Sequence, residues 1–141
     1  MEIGRESLMS RGQDLKDIRL SIKPRLVLSM ANALCAQGDS LLLLRQMPPH
    51  SVSLILTDPP YHATKKRNIY GDTAFADDRH YLEWMAEYAI EWRRVLRPNG
   101  SLFCFCDSSM SGRLDVLFAG NFNVLSRIVW TKPNEPGFDG P

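Results

Sequence analysis

The sequence lacks the features of a membrane protein, a secreted protein or a strongly charged nucleic-acid-binding protein. No apolar run approaches the roughly 20 residues that cross a bilayer. The first 25 residues mix basic and acidic side chains and contain no apolar signal-peptide core. The net charge of the 141 residues is only +1, which argues against binding nucleic acid through bulk charge. Any contact with DNA or RNA must therefore come from a local patch.

Residues that bind metals or form disulfides are also few, and they are scattered. The cysteines and histidines are Cys35, Cys104, Cys106, His50, His62 and His80. Three cysteines cannot all pair, and disulfides are uncommon in chains without a secretion signal. The histidines lack the short spacings of metal ligands. We therefore predict structural cysteines and no metal site.

The chain does contain enough apolar residues for a packed core. Hydrophobic residues make up 44% of it and charged residues 23%, as in a single globular domain. Residues 1–28 form a polar leader, which we predict to be mobile or weakly helical and to which we assign no function. Residues 29–141 are predicted to form the folded unit.

Apolar patterning predicts alternating strands and helices. Short apolar runs that end at Gly, Pro or Asp predict buried strands, whereas apolar positions spaced three and four apart predict helices. The predicted order is a strand near 31–37, a helical turn at 41–44, a strand at 52–57, a long helix capped by Asp77 or Asp78, a strand at 101–106, a helix at 108–120 and a strand at 123–131. Pro98-Asn99-Gly100 is predicted to end the long helix and turn the chain. The alternation predicts an α/β fold with right-handed crossovers and a mostly parallel sheet.

Several conspicuous side chains are predicted to serve packing. Trp84 and Trp92 lie on the long helix and are interpreted as packing residues. Phe103 and Phe105 alternate with cysteines on the next strand and are predicted to lie in the core. Asp107 ends that strand near the expected site, but Asp is also a common helix cap, so we leave Asp107 out of the site.

The strongest functional signal is the tetrad Asp58-Pro59-Pro60-Tyr61, which ends the strand predicted at 52–57. Active sites in open parallel sheets lie beyond the carboxyl ends of the strands. There, the Asp58 carboxylate and the Pro59 carbonyl can accept hydrogen bonds from an amine, and Tyr61 offers a flat face for an extruded base. The two prolines fix the backbone and contribute no donors. The alternative is a turn that merely ends a strand.

Four segments in this order resemble the DNA amino-methyltransferases, which methylate adenine N6 or cytosine N4 with S-adenosylmethionine. The segments are Gly38-Asp39, Ser51–Tyr61, Arg94–Phe103 and Ile128–Asn134. Their order is similar to that of the permuted group, in which the catalytic motif precedes the cofactor motif. The resemblance runs from about Ala31 to the end and implies a Rossmann-like S-adenosylmethionine-dependent methyltransferase fold with a mostly parallel sheet.

The resemblance also implies roles for individual residues. It implies that Asp58 and the Pro59 carbonyl accept hydrogen bonds from the target amine, in a catalytic tetrad completed by Pro60 and Tyr61. An Asp at the first position resembles adenine-N6 more than cytosine-N4 enzymes. Asp39 matches an acidic position near the adenosine of the cofactor.

A second group of residues is predicted to contact DNA. Its members are Lys65, Lys66, Arg67, Trp130, Lys132 and Asn134. The three basic residues after the tetrad can hold phosphates beside the base, although a solvated loop is the alternative. The resemblance implies that the other three lie near the target-base pocket.

The glycine-rich cofactor loop and DNA-recognition region of the family have no counterpart in this sequence, since no Gly-x-Gly stands between a strand and a helix. The resemblance therefore implies an incomplete, N-terminal portion of a cytoplasmic enzyme of bacterial or phage type. Its expected partners are double-stranded DNA and a complementary C-terminal half or subunit, without a membrane or metal. We expect weak or no catalysis by the chain alone.

Other functions stay open. The chain can be a non-catalytic or truncated remnant, a DNA-binding subunit, or part of a cytosine-N4 methyltransferase. An RNA or protein amino-methyltransferase is disfavoured, because those relatives usually place the glycine-rich loop before the tetrad. Only Gly4, Gly12 and Gly38 precede Asp58.

Overall fold

The computed structural model describes residues 15–22, 26–62 and 75–131. Its elements are α1 (15–21), β1 (Leu26–Ser29), β2 (Leu34–Ala36), α2 (Ser40–Gln46), β3 (Val52–Thr57), α3 (Asp78–Val95), β4 (Leu96–Cys104) and α4 (Ser108–Ala119). Strands and helices alternate from β2 onward, as the predicted α/β class requires. Within these ranges no helix is long and apolar enough to cross a bilayer.

The strands of the described ranges form two separate pairs. β3 and β4 are parallel, with Leu54 opposite Ser101 and Thr57 opposite Cys104. β1 and β2 pair antiparallel. The sequence predicted the parallel relation of β3 and β4, but it did not predict β1, which overlaps the end of the segment interpreted as a polar leader.

Helix α3 supplies most of the core. It begins where the Asp77 carboxylate accepts a hydrogen bond from the His80 N–H, as predicted for a cap. Its buried side chains are Tyr81, Met85, Tyr88, Ala89, Trp92 and Val95. Each large apolar side chain buried in this way stabilises the fold by roughly 1.5–3 kcal/mol. Trp92 is buried and Trp84 packs against the same cluster, which confirms the packing role predicted for both.

Helices α2 and α4 both contact α3. The Ser40 hydroxyl of α2 lies 2.9 Å from the Tyr88 hydroxyl of α3, and α4 buries Met110 and Leu114 in the same cluster. The partly buried Ile55 of β3 also packs there. The helices therefore form one layer that covers one face of the β3–β4 pair.

The opposite face of the pair, which we call the outer sheet face, is exposed. Its residues, with exposed fractions, are Leu54 (55%), Leu56 (67%), Phe103 (47%) and Phe105 (44%). The prediction that Phe103 and Phe105 lie in the core was therefore wrong for the described structure. Successive strand residues point to opposite faces, and the helix layer covers the face that carries Cys104 and Cys106.

The prediction of a strand at 123–131 is also wrong, because this segment has no regular secondary structure. Leu125, Ile128 and Val129 are all exposed. A strand needs a neighbour for its backbone N–H and C=O groups. Among the described residues no strand runs beside this segment. Apolar composition alone thus indicated a strand without specifying its partner.

The turn predicted at Pro98-Asn99-Gly100 lies inside β4 instead, because α3 ends at Val95 and β4 begins at the next residue. Val52 pairs with Leu96, and the next pair is Leu54 with Ser101. Between these two pairs β3 advances by two residues and β4 by five. This irregularity accommodates the proline, which a regular ladder excludes. A Cβ on Gly100 would lie 2.8 Å from the end of the Leu96 side chain and 3.1 and 3.2 Å from the carbonyl oxygens of Arg97 and Ser53, so the close approach of the backbone disfavours a larger residue.

We predict that Arg94 stabilises the junction of α2 and α3. Its guanidinium donates to the carbonyls of Leu44 and Met47 at 2.6 and 2.8 Å and to Glu91 at 2.7 Å. Arg94→Ala should lower the free energy of unfolding by about 2 kcal/mol, because these charge-assisted bonds are lost. Arg93→Ala, an exposed neighbour on the same helix, should change it by less than about 0.5 kcal/mol. Urea denaturation followed by circular dichroism measures both, and equal effects would contradict the prediction.

Candidate active site

The tetrad Asp58-Pro59-Pro60-Tyr61 follows β3 without a gap. Asp58 is exposed, Pro59 is buried, and Pro60 and Tyr61 are partly buried. The structure therefore brings the four predicted catalytic residues to the carboxyl end of a parallel strand, where open α/β sheets bind their ligands. The buried Pro59 fixes the backbone, while the carboxylate of Asp58 stays accessible to a ligand.

A short hydrogen bond joins the two ends of the tetrad. The Tyr61 hydroxyl donates to Oδ1 of Asp58 at 2.6 Å. Hydrogen bonds to an ionised carboxylate are shorter and stronger than neutral ones. This bond holds the aromatic ring of Tyr61 beside the carboxylate, so a hydrogen-bond acceptor and a stacking surface lie next to each other.

The end of β4 lies beside the tetrad. The N–H of Phe105 donates to the carbonyl of Thr57 at 3.0 Å, and Cys104 pairs with Thr57 in the ladder. The pKa of the Cys104 thiol is raised to about 12. Burial is the main cause, and the nearby Cys106 and Asp58 raise the pKa further. Cys104 is therefore a neutral packing residue at neutral pH, which supports the structural role predicted for it.

Two further aspartates follow strand ends, and both cap helices. Asp107 accepts a hydrogen bond from the Ser109 N–H at 2.8 Å and starts α4. Asp39 accepts from the N–H groups of Leu41 and Leu42 at 2.9 and 3.1 Å and starts α2. The capping role of Asp39 was not predicted, although Asp before a helix is a common signal for it.

Of the six residues predicted to contact DNA, one lies within the described ranges. Trp130 is exposed in the irregular segment after α4. Lys65, Lys66, Arg67, Lys132 and Asn134 lie outside the described residues. Within the described ranges, no three His, Cys, Asp or Glu side chains are grouped to hold a metal ion.

Sequence reasoning missed His62, the residue that follows the tetrad. Its backbone φ is 60°, and its side chain is only 8% exposed. Nε2 lies 3.2 Å from a carboxylate oxygen of Asp78 at the start of α3. In the sequence, the only signal of His62 was its position directly after Tyr61. A single histidine in a sequence predicts neither a left-handed backbone nor burial.

Comparison with known proteins finds a family whose description is DNA methylase, matched by residues 52–140. The chain is 34% identical over 111 residues to the type II methyltransferase M.BglII of Bacillus subtilis, covering 69% of this chain and 28% of that protein. It is 33% identical over 94 residues to the DNA adenine methyltransferase YhdJ of Escherichia coli K12, and the match covers 67% of this chain and 31% of that protein. It is 31% identical over 101 residues to the type II methyltransferase M.PvuII of Proteus hauseri, and the match covers 72% of this chain and 28% of that protein. The chain thus spans less than a third of the length of each relative.

The raised thiol pKa predicts how the cysteines react. At about pH 8.5 the thiol of Cys104 stays protonated, and only the thiolate is a good nucleophile. We expect iodoacetamide to modify the exposed Cys35 first and Cys104 last, with the order measured by peptide mass spectrometry. Asp58→Asn should accelerate the modification of Cys104 only slightly, because burial raises the pKa of this thiol more than the Asp58 charge does. Equal rates at Cys35 and Cys104 would contradict this placement of the strand end.

Proposed function

The chain belongs to the N6/N4 family of DNA methylases, and from that premise we propose that it forms the base-binding part of a site-specific DNA methyltransferase. The enzyme transfers a methyl group from S-adenosylmethionine to the exocyclic amine of a flipped base, adenine N6 in our assignment. The observation that carries this proposal is the accessible Asp58 carboxylate, held beside the Tyr61 ring at the carboxyl end of β3.

The amine needs help, because its lone pair is delocalised into the base ring. Asp58 accepts a hydrogen bond from one amine hydrogen, and the carbonyl of Pro59 accepts from the other. Both bonds keep electron density on the nitrogen and hold it in one orientation. As the nitrogen takes the methyl group, the bond from that carbon to the sulfur of the donor would break, and the sulfur would leave as a neutral thioether. The amine then becomes positively charged, and the negative carboxylate stabilises that charge. The surplus proton then leaves the nitrogen through Asp58 or water.

Tyr61 provides the surface on which the flipped base rests. A base must leave the duplex stack before its amine can be reached, and stacking on an aromatic ring offsets part of that cost. Because the Tyr61 hydroxyl occupies only Oδ1 of Asp58, the other carboxylate oxygen can accept the amine hydrogen. The same hydrogen bond positions the ring before the base arrives.

We assign Asp39 to the adenosine end of the methyl donor. S-adenosylmethionine, when bound, supplies an electrophilic methyl group. Gly38 precedes Asp39 with a φ of 153°, a conformation that favours glycine. Both capping bonds of Asp39 use Oδ1, which leaves Oδ2 for a hydroxyl group of the donor. The described residues therefore fit one end of such a site.

Basic and aromatic residues outside the tetrad are our candidates for DNA contact. We propose that Lys65, Lys66 and Arg67 hold backbone phosphates, and that Trp130, Lys132 and Asn134 border the base pocket. These six positions lie in two short segments of a sequence whose net charge is only +1, so contacts made there would not depend on bulk charge. Phosphate contacts position the duplex, while the pocket selects the base.

The choice of adenine over cytosine rests on the Asp at the first position of the tetrad and on the similarity to the Escherichia coli relative, a DNA adenine methyltransferase. Mass spectrometry of digested DNA separates the two products. N6-methyladenine supports our assignment, whereas N4-methylcytosine supports the alternative. A non-catalytic remnant of the same family would yield neither.

We further propose a Rossmann-like domain that is completed by a complementary segment, either joined to this chain or separate. Parallel sheets are normally covered on both faces. Here helices cover one face, while Leu54, Leu56, Phe103 and Phe105 of the outer sheet face are exposed. The complementary segment would cover these apolar side chains and supply the glycine-rich cofactor loop and the DNA-recognition region. We define the assembled enzyme as this chain together with the part of M.BglII that it does not match.

The assembled enzyme tests the role of Asp58. Asp58→Asn should lower the methylation rate by roughly 100-fold or more, because the amide cannot stabilise a positive amine and presents fewer acceptors. Asp107→Asn removes the same charge at the end of the neighbouring strand, and asparagine also caps helices well. This control should retain most of the activity. Incorporation of labelled methyl groups into DNA gives both rates, and an active Asp58→Asn enzyme would overturn the assignment.

A second substitution tests the outer sheet face. Leu56→Glu should leave this chain folded, because the side chain is already 67% exposed. It should nevertheless weaken assembly with the complementary segment at least about tenfold, because a charge would be buried there. Val116→Glu on α4, also an exposed apolar position, is the matched control and should assemble normally.

Calorimetry of the two polypeptides measures assembly, and S-adenosylmethionine titrated into the mixture reports the completed cofactor site. Equal assembly of the Leu56 and Val116 variants would remove the outer sheet face from the proposal. A failure of the unsubstituted pair to bind the donor would favour the non-catalytic remnant.

A further inference from the structure

His62 is held in an aromatic cluster at the start of α3. Its imidazole stacks on the ring of Tyr81, with centroids 5.4 Å apart, and meets the edge of Phe75 at 5.6 Å. Phe75 in turn contacts Tyr81 and Trp84. The histidine ring is therefore enclosed by side chains of the core, although its neighbour Tyr61 belongs to the active site.

The carboxylate of Asp78 determines how the imidazole is turned. Nε2 of His62 lies 3.2 Å from Oδ1 of Asp78. Oδ2 of the same carboxylate binds the guanidinium of Arg113 on α4. Nδ1 of His62 is buried without a hydrogen-bond partner in the described part of the chain. One specific contact thus ties the residue after the tetrad to the first residue of α3, and through it to α4.

The backbone of His62 is equally specific. Its φ of 60° lies in the left-handed region, which residues with a Cβ seldom adopt. Such a conformation persists when the surrounding structure holds it, and it concentrates at functional sites. Here it lets consecutive side chains diverge. Tyr61 reaches back to Asp58, while His62 turns into the core.

We propose that His62 is a positioning residue of the amine-acceptor site. Its ring, enclosed by Phe75 and Tyr81 and oriented by Asp78, fixes the backbone immediately after the tetrad. That anchor sets the direction of Tyr61, and so the bond between Tyr61 and Asp58. The inference rests on the function proposed for the tetrad, but its structural part can be tested without methylation.

The chain offers a matched control for this proposal. His50 is another histidine with a left-handed backbone, at φ 54°. It precedes β3, at the end of the strand opposite to the tetrad, and its Nδ1 lies 3.0 Å from the carbonyl of Leu96. Glycine at either position permits the backbone conformation and removes the ring. His62→Gly and His50→Gly therefore share the backbone conformation and the loss of a ring, but the ring of His62 is buried and that of His50 is exposed.

The first measurement is the NMR spectrum of this chain with isotope-labelled tyrosine, in which Tyr61→Phe identifies the Tyr61 signal. His62→Gly should move that signal toward its position in an unfolded chain, whereas His50→Gly should leave it in place. The signal of Tyr88, which is buried in the core, reports whether each variant is folded. His62→Asn, which tolerates the left-handed backbone and keeps a polar side chain, should restore the Tyr61 signal in part.

The second measurement is methylation by the assembled enzyme. His62→Gly should lower kcat by about 10- to 100-fold with little change in the KM for S-adenosylmethionine, because a displacement of about 1 Å can cost that much. An unmoved Tyr61 signal in folded His62→Gly would overturn the proposal. If that variant unfolds and the Tyr88 signal moves, the same comparison on His62→Asn decides. An inactive unsubstituted enzyme would count against the proposed function, while the Tyr61 signal would still decide the role of His62.

Discussion

The packing of α3 against one face of the β3–β4 pair is the constraint on which the rest of the structure depends. The apolar stripe of α3 buries residues that include Tyr81, Met85 and Trp92, while Ile55 and Leu102 approach it from the two strands. Because α3 lies between β3 and β4 in the chain and both strands pack on it, the strands run parallel and end at the same edge. The tetrad follows β3 at that shared edge, so its position follows from the packing of the core.

The same packing leaves the other sheet face open, in a chain that spans less than a third of the length of the relatives it matches. Apolar side chains on one strand face gain little free energy unless a second layer removes them from water. Leu56 and Phe103 are in that position. The apolar segment at 124–130 is likewise exposed to water. It has strand-forming residues, but no strand lies beside it within the described ranges.

At the tetrad, the structure separates two tasks between neighbouring residues. Asp58 and Tyr61 are joined by their own hydrogen bond, and in the proposed function they are the acceptor and the stacking surface. His62 turns inward to Asp78. The proposed site would hold an amine in line with a methyl group, and such a site needs support from the core because the exposed ends of strands are otherwise free to move.

By itself, the sequence determined the element order from β2 to α4, the amphipathic helix α3 with a cap at Asp77 or Asp78, and the tetrad with its family. These depend on local spacing and on short motifs, which a single chain displays directly. Only the tertiary structure decided that Phe103 lies on an open face, that residues 123–131 form no strand, and that His62 turns inward to Asp78. Each of these depends on what lies across a sheet or beside a strand, and residue order does not specify that neighbour.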